Sequence, residues 1–361
     1  AAAGGPRTRR LLPSHKGWGT SLHQSRVDGD IPNQGLAGAA TGPMLDDVTS
    51  PPLRPPIFNI ALHVAFADAL AAGLLARTAG DPLALARALV LLPNRRAVAA
   101  LTEAFVRQLP NAKSGAESGG GRLLPRMVPV GDLDDGGFDR LAAGADVLLP
   151  AVAPLLRRLE LARLAGGLPG SDRSPVERLR LGDALGEVLD ALLAEEIEPE
   201  TLRAAADGQD LADHWQKTLA FLELIIAVWP EARTGHGGTE GATRLAALID
   251  ASIARWQVAP PTGLVVAAGL ANPTPALVRL LGAVLHLPQG LVVLPGLDDD
   301  PSEAGTARWD AIPISSAEGG RDDPGHPQWA LKKLLAALGL ERADVQPWPA
   351  HGGKLDGPPE R

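Results

Sequence analysis

The 361-residue chain contains no cysteine and no tyrosine, and aromatic residues make up only 3% of it. Without cysteine, this stretch of chain cannot form disulfides, zinc–thiolate sites, iron–sulfur clusters or a thiol nucleophile. It also lacks a run of about 18 consecutive apolar residues, so no transmembrane helix and no membrane partner are predicted. With 45% hydrophobic and 21% charged residues, the composition predicts a globular protein with an aliphatic core, and we expect a cytoplasmic one.

The net charge and the N-terminal residues further limit the classes of partner. A net charge of −8 and a pI near 5.5 argue against a simple basic nucleic-acid-binding domain, although they allow a local basic groove. The first methionine is Met44, and residues 1–43 lack the apolar core of a signal peptide. We expect residues 1–50 to be a disordered tail or upstream sequence translated by mistake, with Met44 as the true start. A basic arm that contacts DNA is the alternative.

The order of apolar and amphipathic segments predicts an α/β fold with a parallel sheet and a large helical insertion. Prolines mark its start near residue 51. The predicted division has residues 51–147 as the first part of the α/β domain, 148–260 as a helical insertion or subdomain, 261–348 as the return to the α/β domain and 349–361 as a tail. Strands are predicted at 57–62, 89–92, 123–133, 263–270 and 290–298.

Helices are predicted between and after these strands from the spacing of apolar residues. The predicted helical segments are 65–77, 94–109, 155–164, 185–197, 214–228, 244–256, 275–286 and a late helix from Trp329 that Gly339 caps. After Asp300 we expect the chain to loosen, with a loop at 314–328, and from Pro347 we expect a Pro/Gly-rich tail without a terminal element.

Motifs of phosphate-binding and hydrolytic enzymes are missing. The turn after the first strand, Leu62–Ala65, has neither the glycines nor the lysine of a phosphate-binding loop, which predicts that this region does not hydrolyse ATP. His-Glu-x-x-His, Gly-x-Ser-x-Gly and Gly-x-Gly-x-x-Gly do not occur either. The acidic run Asp298–Asp300 follows a strand, but without a phosphate loop we interpret it as a solvated turn. The tryptophans are interpreted as core or domain-interface residues rather than as base-stacking platforms.

Two arginines at the start of a helix suggest a site for an anion. Asn94 is a good N-cap, and Arg95 and Arg96 fill the first turn after an apolar strand. The positive end of the helix dipole makes cations slightly unfavourable there and favours anions. The two arginines are therefore either solvated residues tolerated at a small cost, or part of an anion site.

Several stretches, in this order and spacing across residues 57–348, resemble AddB, the second subunit of the bacterial AddAB helicase–nuclease that processes double-strand DNA ends. The resembling stretches are "IFNIALHVAFADALAAGLLAR", "DPLALARALVLLPNRRAVAALTEAF", "RLLPRMVPVGDLD", "DHWQKTLAFLELIIAVWP", "LVVAAGLANPTPALVRLLGAVLHLPQGLVVLPGLD" and "HPQWALKKLLAALGLERADVQPW". The resemblance implies a helicase-like, P-loop-type α/β fold without a P-loop. Such a region handles DNA strands and supports an AddA-type motor subunit without hydrolysing ATP itself.

The resemblance also implies what this chain lacks. The nuclease domain of the family lies further along and holds an iron–sulfur cluster through cysteines, so we expect an N-terminal fragment without that domain, without a catalytic site and without a cofactor. Asn94, Arg95 and Arg96 are the implied contacts to the backbone of DNA ends or single-stranded DNA. A nucleotide- or sugar-phosphate-binding α/β transferase and a pure protein-interaction module are the two alternative functions.

Overall fold

A computed structural model describes most of the folded chain. The described residues are 54–79, 81, 83–108, 123–131, 148–166, 174–197, 201, 229, 237–314 and 322–349. Residues 52–361 form one compact unit. Among the described helices, none is both long and apolar enough to cross a membrane.

One all-parallel sheet of six strands organises this unit, with the strand order β3-β2-β4-β5-β1-β6. The strands are β1 (Ile57–Ile60), β2 (Leu89–Leu92), β3 (Arg126–Pro129), β4 (Val265–Ala268), β5 (Gly290–Pro295) and β6 (Gln346–Pro347). β2 and β4 are buried over their whole length, as expected for interior strands of a parallel sheet that is covered on both faces. The predicted α/β class and parallel sheet are therefore confirmed.

Helices cover the sheet on both sides. They are α1 (Phe66–Arg77), α2 (Ala84–Arg87), α3 (Arg95–Arg107), α4 (Pro154–Gly166), α5 (Pro175–Ala194), α6 (Gly241–Val258), α7 (Pro275–His286), α8 (Glu303–Asp310) and α9 (Trp329–Ala337). α1, α2 and α3 pack on the first face, and α6 to α9 pack on the second.

Alternation along the strands builds two apolar cores, one on each face. In β2, Val90 packs with Leu70 and Phe105 on the first face, whereas Leu91 packs with Leu248 and Leu280 on the second. α6 thus belongs to the core of the sheet, although its residues lie within the predicted insertion 148–260. α4 and α5 form a smaller cluster of their own.

Most predicted elements lie close to their observed positions. α5 begins earlier than predicted, at Pro175, because Ser174 and Glu177 form a capping box at its start. β3 is shorter than the predicted 123–133, and α9 ends before Gly339, whose φ of +69° suits a helix C-cap. The predicted helix at 214–228 lies outside the described residues.

Two predictions about the last part of the domain are wrong. The stretch directly after Asp300, where the chain was expected to loosen, contains α8, which Ser302 caps by accepting a hydrogen bond from the Gly305 amide at 3.0 Å. The predicted unstructured tail from Pro347 contains part of β6, which pairs with β1. Trp348 then buries its indole beneath α1 and donates to the Ala69 carbonyl at 2.9 Å.

Candidate functional site at the carboxyl edge of the sheet

The strand order creates two switch points at the carboxyl edge of the sheet. A switch point is a pair of neighbouring strands whose following helices cover opposite faces, and open α/β sheets bind ligands in the crevice there. At the β2–β4 switch point, α3 covers the first face and α7 the second. At the β1–β5 switch point, α1 covers the first face and α8 the second.

The β2–β4 switch point brings together the three residues that the sequence singled out. Asn94 caps α3, because its side-chain oxygen accepts a hydrogen bond from the Ala97 amide at 3.0 Å. Arg95 and Arg96 occupy the first turn and are exposed, as is Asn94. The first turns of both α3 and α7 contain no acidic residue. Both helix dipoles therefore favour an anion at this edge, and two cations add to the same potential.

Glycines shape the backbone around this switch point. Gly269 follows β4 with a φ of +73°, a conformation in which a side chain would be strained. A Cβ there would lie 3.6 Å from both Phe66 and Pro93, so three elements meet closely at this edge. Gly131, after β3, donates its amide to the Pro93 carbonyl at 3.0 Å. The start of α3 is consequently supported from both neighbouring strands.

The β1–β5 switch point differs, because two side-chain amides hold its turn. Asn59, only 4% exposed, donates to the Leu297 carbonyl and accepts from the Leu297 amide, both at 2.9 Å. Gln328 donates to the Gly296 carbonyl and accepts from the Asp298 amide, both at 3.0 Å. These two side chains provide hydrogen-bond partners for the backbone N–H and C=O groups of the turn, as a neighbouring strand would.

The acidic run Asp298–Asp300 sits on this turn. Asp300 lies 2.8 Å from Arg308 and accepts from the Ser302 amide at 3.0 Å. Hydrogen bonds from Ser302, together with Arg308, lower the pKa of Asp300 to about 2. Asp298 also contacts Arg308, at 3.6 Å, and Asp299 is exposed and accepts a hydrogen bond from Asn59 at 3.5 Å. Asp298 and Asp300 are thus ion-paired, and their side chains remain 34% and 37% exposed.

The first turn of α1 holds an internal acid where a P-loop protein would bind a phosphate. Asp68 lies in that turn, and Arg107 of α3 reaches its carboxylate at 2.7 Å. The preceding Leu62 is 80% exposed and carries no polar group. Among the described residues, no group of three or more His, Asp or Glu residues could hold a metal ion. The first turn of α1 is thus occupied by an ion pair within the protein.

Reasoning from the sequence missed the residues that organise the β1–β5 switch point. Asn59 had a signal, because it is a lone polar residue in the apolar strand "IFNI". Gln328 and the Asp68–Arg107 pair had none, since their partners are distant in sequence. In the part of the chain that the structure describes, the tryptophan interpretation holds for four buried ones, which are Trp229, Trp256, Trp309 and Trp348.

Comparison with known proteins identified no family for this chain. No protein-family model matches the chain, and no curated protein matches it significantly. The function must therefore be argued from the site.

Proposed function

We propose that this chain is the helicase-like, ATPase-inactive region of an AddB-type subunit. It handles DNA strands and docks on an AddA-type helicase–nuclease partner during the repair of double-strand breaks in the cytoplasm. The phosphate backbone of a DNA end or of single-stranded DNA binds at the β2–β4 switch point, through Asn94, Arg95 and Arg96. This part of the protein carries no cofactor and no catalytic site of its own.

The observation that carries the proposal is the charge at the β2–β4 switch point. Arg95 and Arg96 are exposed in the first turn of α3, and no acidic residue lies in the first turns of α3 or α7. Phosphate contacts of this kind, from arginines and helix N-termini, position a nucleic acid without reading its sequence. The parallel sheet supports the helicase-like fold that the resemblance implies.

The β1–α1 turn supports the proposal that the region does not hydrolyse ATP. A P-loop cradles phosphates with glycine amides and a lysine, whereas this turn presents the exposed side chains of Leu62 and His63. Asp68 adds a negative charge at the first turn of α1, and Arg107 binds it internally. The same features count against a nucleotide-binding transferase.

The deciding experiment measures binding of the full chain to a forked duplex labelled with a fluorophore, across about 50 to 200 mM salt. We expect the Arg95→Ala/Arg96→Ala double variant to bind more weakly. Its dependence of log K on log salt should be flatter, by up to about one unit for each phosphate that an arginine no longer neutralises. The matched control is Arg87→Ala, which removes an exposed arginine at the opposite, amino edge of the sheet.

The same titration is repeated with the AddA-type motor subunit and with ATP in place of DNA. Stronger DNA binding in the presence of the motor supports the proposal. An unchanged affinity and salt slope in the double variant would remove the three residues from the DNA contact. Binding to the motor without DNA binding would favour a protein-interaction module, and binding of ATP alone would favour the transferase.

A further inference from the structure

Helix α7 starts at a residue of capping type that does not cap it. Thr274 is its N-cap residue, with the extended backbone of such a position (φ −61°, ψ 145°), but its side chain makes no hydrogen bond to the first turn. Asn94, Ser174 and Ser302, at the starts of α3, α5 and α8, each accept a hydrogen bond from the amide three residues further along. The first turn of α7 therefore lacks a hydrogen bond that these other helix starts have.

Two backbone amides of this first turn are open as a result. Pro275 has no N–H group, and in the described part of the chain the amides of Ala276 and Leu277 donate to no protein group. The next amide, that of Val278, is already bound to the Thr274 carbonyl at 2.9 Å. Such orphan amides are satisfied by caps, by water or by a ligand. A ligand oxygen can therefore occupy the position that a capping side chain fills elsewhere.

The Thr274 hydroxyl adds a third free donor beside these amides. Thr274 is 9% exposed, and its hydroxyl forms no hydrogen bond within the described residues. Its oxygen is not one of the side-chain polar atoms that are sealed from solvent without a partner, so it reaches the surface at the start of α7. Leaving a largely buried hydroxyl unpaired costs free energy, which a bound acceptor removes. No acidic residue lies in this first turn to compete for the donors.

Prolines on both sides hold these donors in place. Pro273 and Pro275 flank Thr274, and a residue before proline is restricted to the extended region that its ψ of 145° shows. Pro273 is itself buried, as is Ala276. A site whose donors are fixed before binding loses less conformational entropy when it binds. Three fixed donors at the positive end of a helix match an acceptor with several anionic oxygens.

We propose that the start of α7 binds a phosphate group, through the Thr274 hydroxyl and the amides of Ala276 and Leu277. A phosphate oxygen takes the capping position at the two amides, and the hydroxyl donates to the same group. The donors belong to a different helix from Arg95 and Arg96, so the inference does not depend on the DNA contact proposed above. The phosphate comes either from a nucleic-acid backbone or from free inorganic phosphate, and the experiment separates these sources.

Amide resonances of the full chain, isotopically labelled at the nitrogens of alanine and leucine, report on this site directly. Sodium phosphate replaces sodium chloride at constant ionic strength, so that general salt effects stay the same. We expect the resonances of Ala276 and Leu277 to shift and to saturate as phosphate is added, because their N–H groups become hydrogen-bonded. The amide of Leu101, a buried residue inside α3, is the internal reference and should not shift.

Thr274→Val is the deciding variant, because valine stays close to the shape of threonine and lacks the hydroxyl. It should bind phosphate about tenfold more weakly, as expected for the loss of one hydrogen bond to a charged group. Thr274→Ser retains the hydroxyl and should retain saturable binding. Thr262→Val is the matched control, since Thr262 is an exposed threonine at the amino edge of the sheet, and it should leave the affinity unchanged.

The labelled forked duplex separates the two sources of phosphate. If Thr274→Val also weakens duplex binding at fixed salt, the bound group is a backbone phosphate, and if duplex binding is unchanged, it is free phosphate. The Arg95→Ala/Arg96→Ala double variant should still show the shift of Leu277 with inorganic phosphate. Loss of the proposed DNA contact and loss of the site at α7 are thereby read separately.

Three results would overturn the proposal. The first is the absence of saturable shifts at Ala276 and Leu277 with inorganic phosphate and with the duplex alike. The second is an equal loss of affinity in Thr262→Val. The third is a lower urea midpoint of Thr274→Val in phosphate-free buffer, because the hydroxyl would then stabilise the folded chain itself rather than hold a ligand.

Discussion

At the β2–β4 switch point, Arg95 and Arg96 are exposed and the first turns of α3 and α7 contain no acid. At the β1–β5 switch point, the first turns of α1 and α8 contain Asp68 and Glu303, and the acidic run Asp298–Asp300 lies alongside. At both places, the helices that follow the two strands begin at the carboxyl edge of the sheet. The comparison shows that two strand ends at the same edge of one sheet differ in charge because of the side chains in and beside the first turns of their helices.

The largest effect is expected from removing the amide that holds the acidic turn. Asn59→Leu keeps the shape of the side chain but leaves the Leu297 amide and carbonyl buried without their partner. We expect a decrease of about 3 kcal/mol in the free energy of unfolding, since an unsatisfied buried group costs about 1–3 kcal/mol. Chemical denaturation monitored by circular dichroism measures this decrease.

Gln328→Leu is the control for that variant. Gln328 makes the same two kinds of hydrogen bond to the turn, but it is only half-buried, so water can replace it. We expect a decrease of about 1 kcal/mol in the free energy of unfolding. Equal decreases in the two variants would show that the burial of Asn59 does not add to the free-energy cost of removing its hydrogen bonds.

An intermediate effect on stability is expected from removing the two helix caps, because one of them lies at each switch point. Asn94→Ala at α3 and Ser302→Ala at α8 each remove one side-chain cap and should each cost about 1 kcal/mol of stability. Added sulfate should recover part of that stability in Asn94→Ala, because an anion can bind the freed amides there. It should recover less in Ser302→Ala, where Asp300 and Glu303 repel anions.

Denaturation midpoints of both variants with and without sulfate provide the measurement. General stabilisation by sulfate acts on both proteins alike, so the difference between the two variants is the informative quantity. The same gain in both would mean that the acidic residues near α8 do not exclude anions from its first turn.

The smallest effect is expected from the pH dependence of the acidic turn. The pKa of Asp300 is lowered from 3.8 to about 2, so its contribution to stability is present above about pH 4. That contribution disappears as the pH falls from about 4 through 2, where the folded protein must take up the proton. Asp300→Asn should therefore flatten the dependence of stability on pH in this window.

The measurement is the urea midpoint of Asp300→Asn and of the unmodified chain at about pH 6 and at about pH 2.5. At the higher pH, Asp300 is ionised in both the folded and the unfolded state, whereas the lower pH lies within the window in which its contribution is lost. An identical decline in both proteins would assign the acid sensitivity to other carboxylates. In that case the contacts of Asp300 with Ser302 and Arg308 would not stabilise the folded state.

The spacing of apolar residues and the capping residues predicted the elements that depend on residues close together in the sequence. The helix at α3 follows from the Asn94 cap and the spacing of Leu101 and Phe105, and both apolar residues are buried. α8 was missed, although Ser302 followed by Glu303 is a recognisable helix start. β6 was missed because two residues carry no periodicity, and only pairing with β1 makes them a strand.

The residues of the two switch points could likewise be predicted only where their contacts are local in the sequence. Asn94, Arg95 and Arg96 were found from the sequence because a cap and its first turn are neighbours along the chain. The hydrogen bonds of Asn59 to Leu297 and of Gln328 to Asp298 could not be found, because they join residues from separate strands and loops.

The sequence by itself determined the α/β class, the parallel sheet and the basic start of α3, since these depend on the alternation of apolar segments and on residues within one helical turn. Only the tertiary structure decided which contacts hold the acidic turn at the β1–β5 switch point. These contacts come from Asn59, Gln328 and Arg308, whose side chains meet their partners only once the strands lie in the order β3-β2-β4-β5-β1-β6.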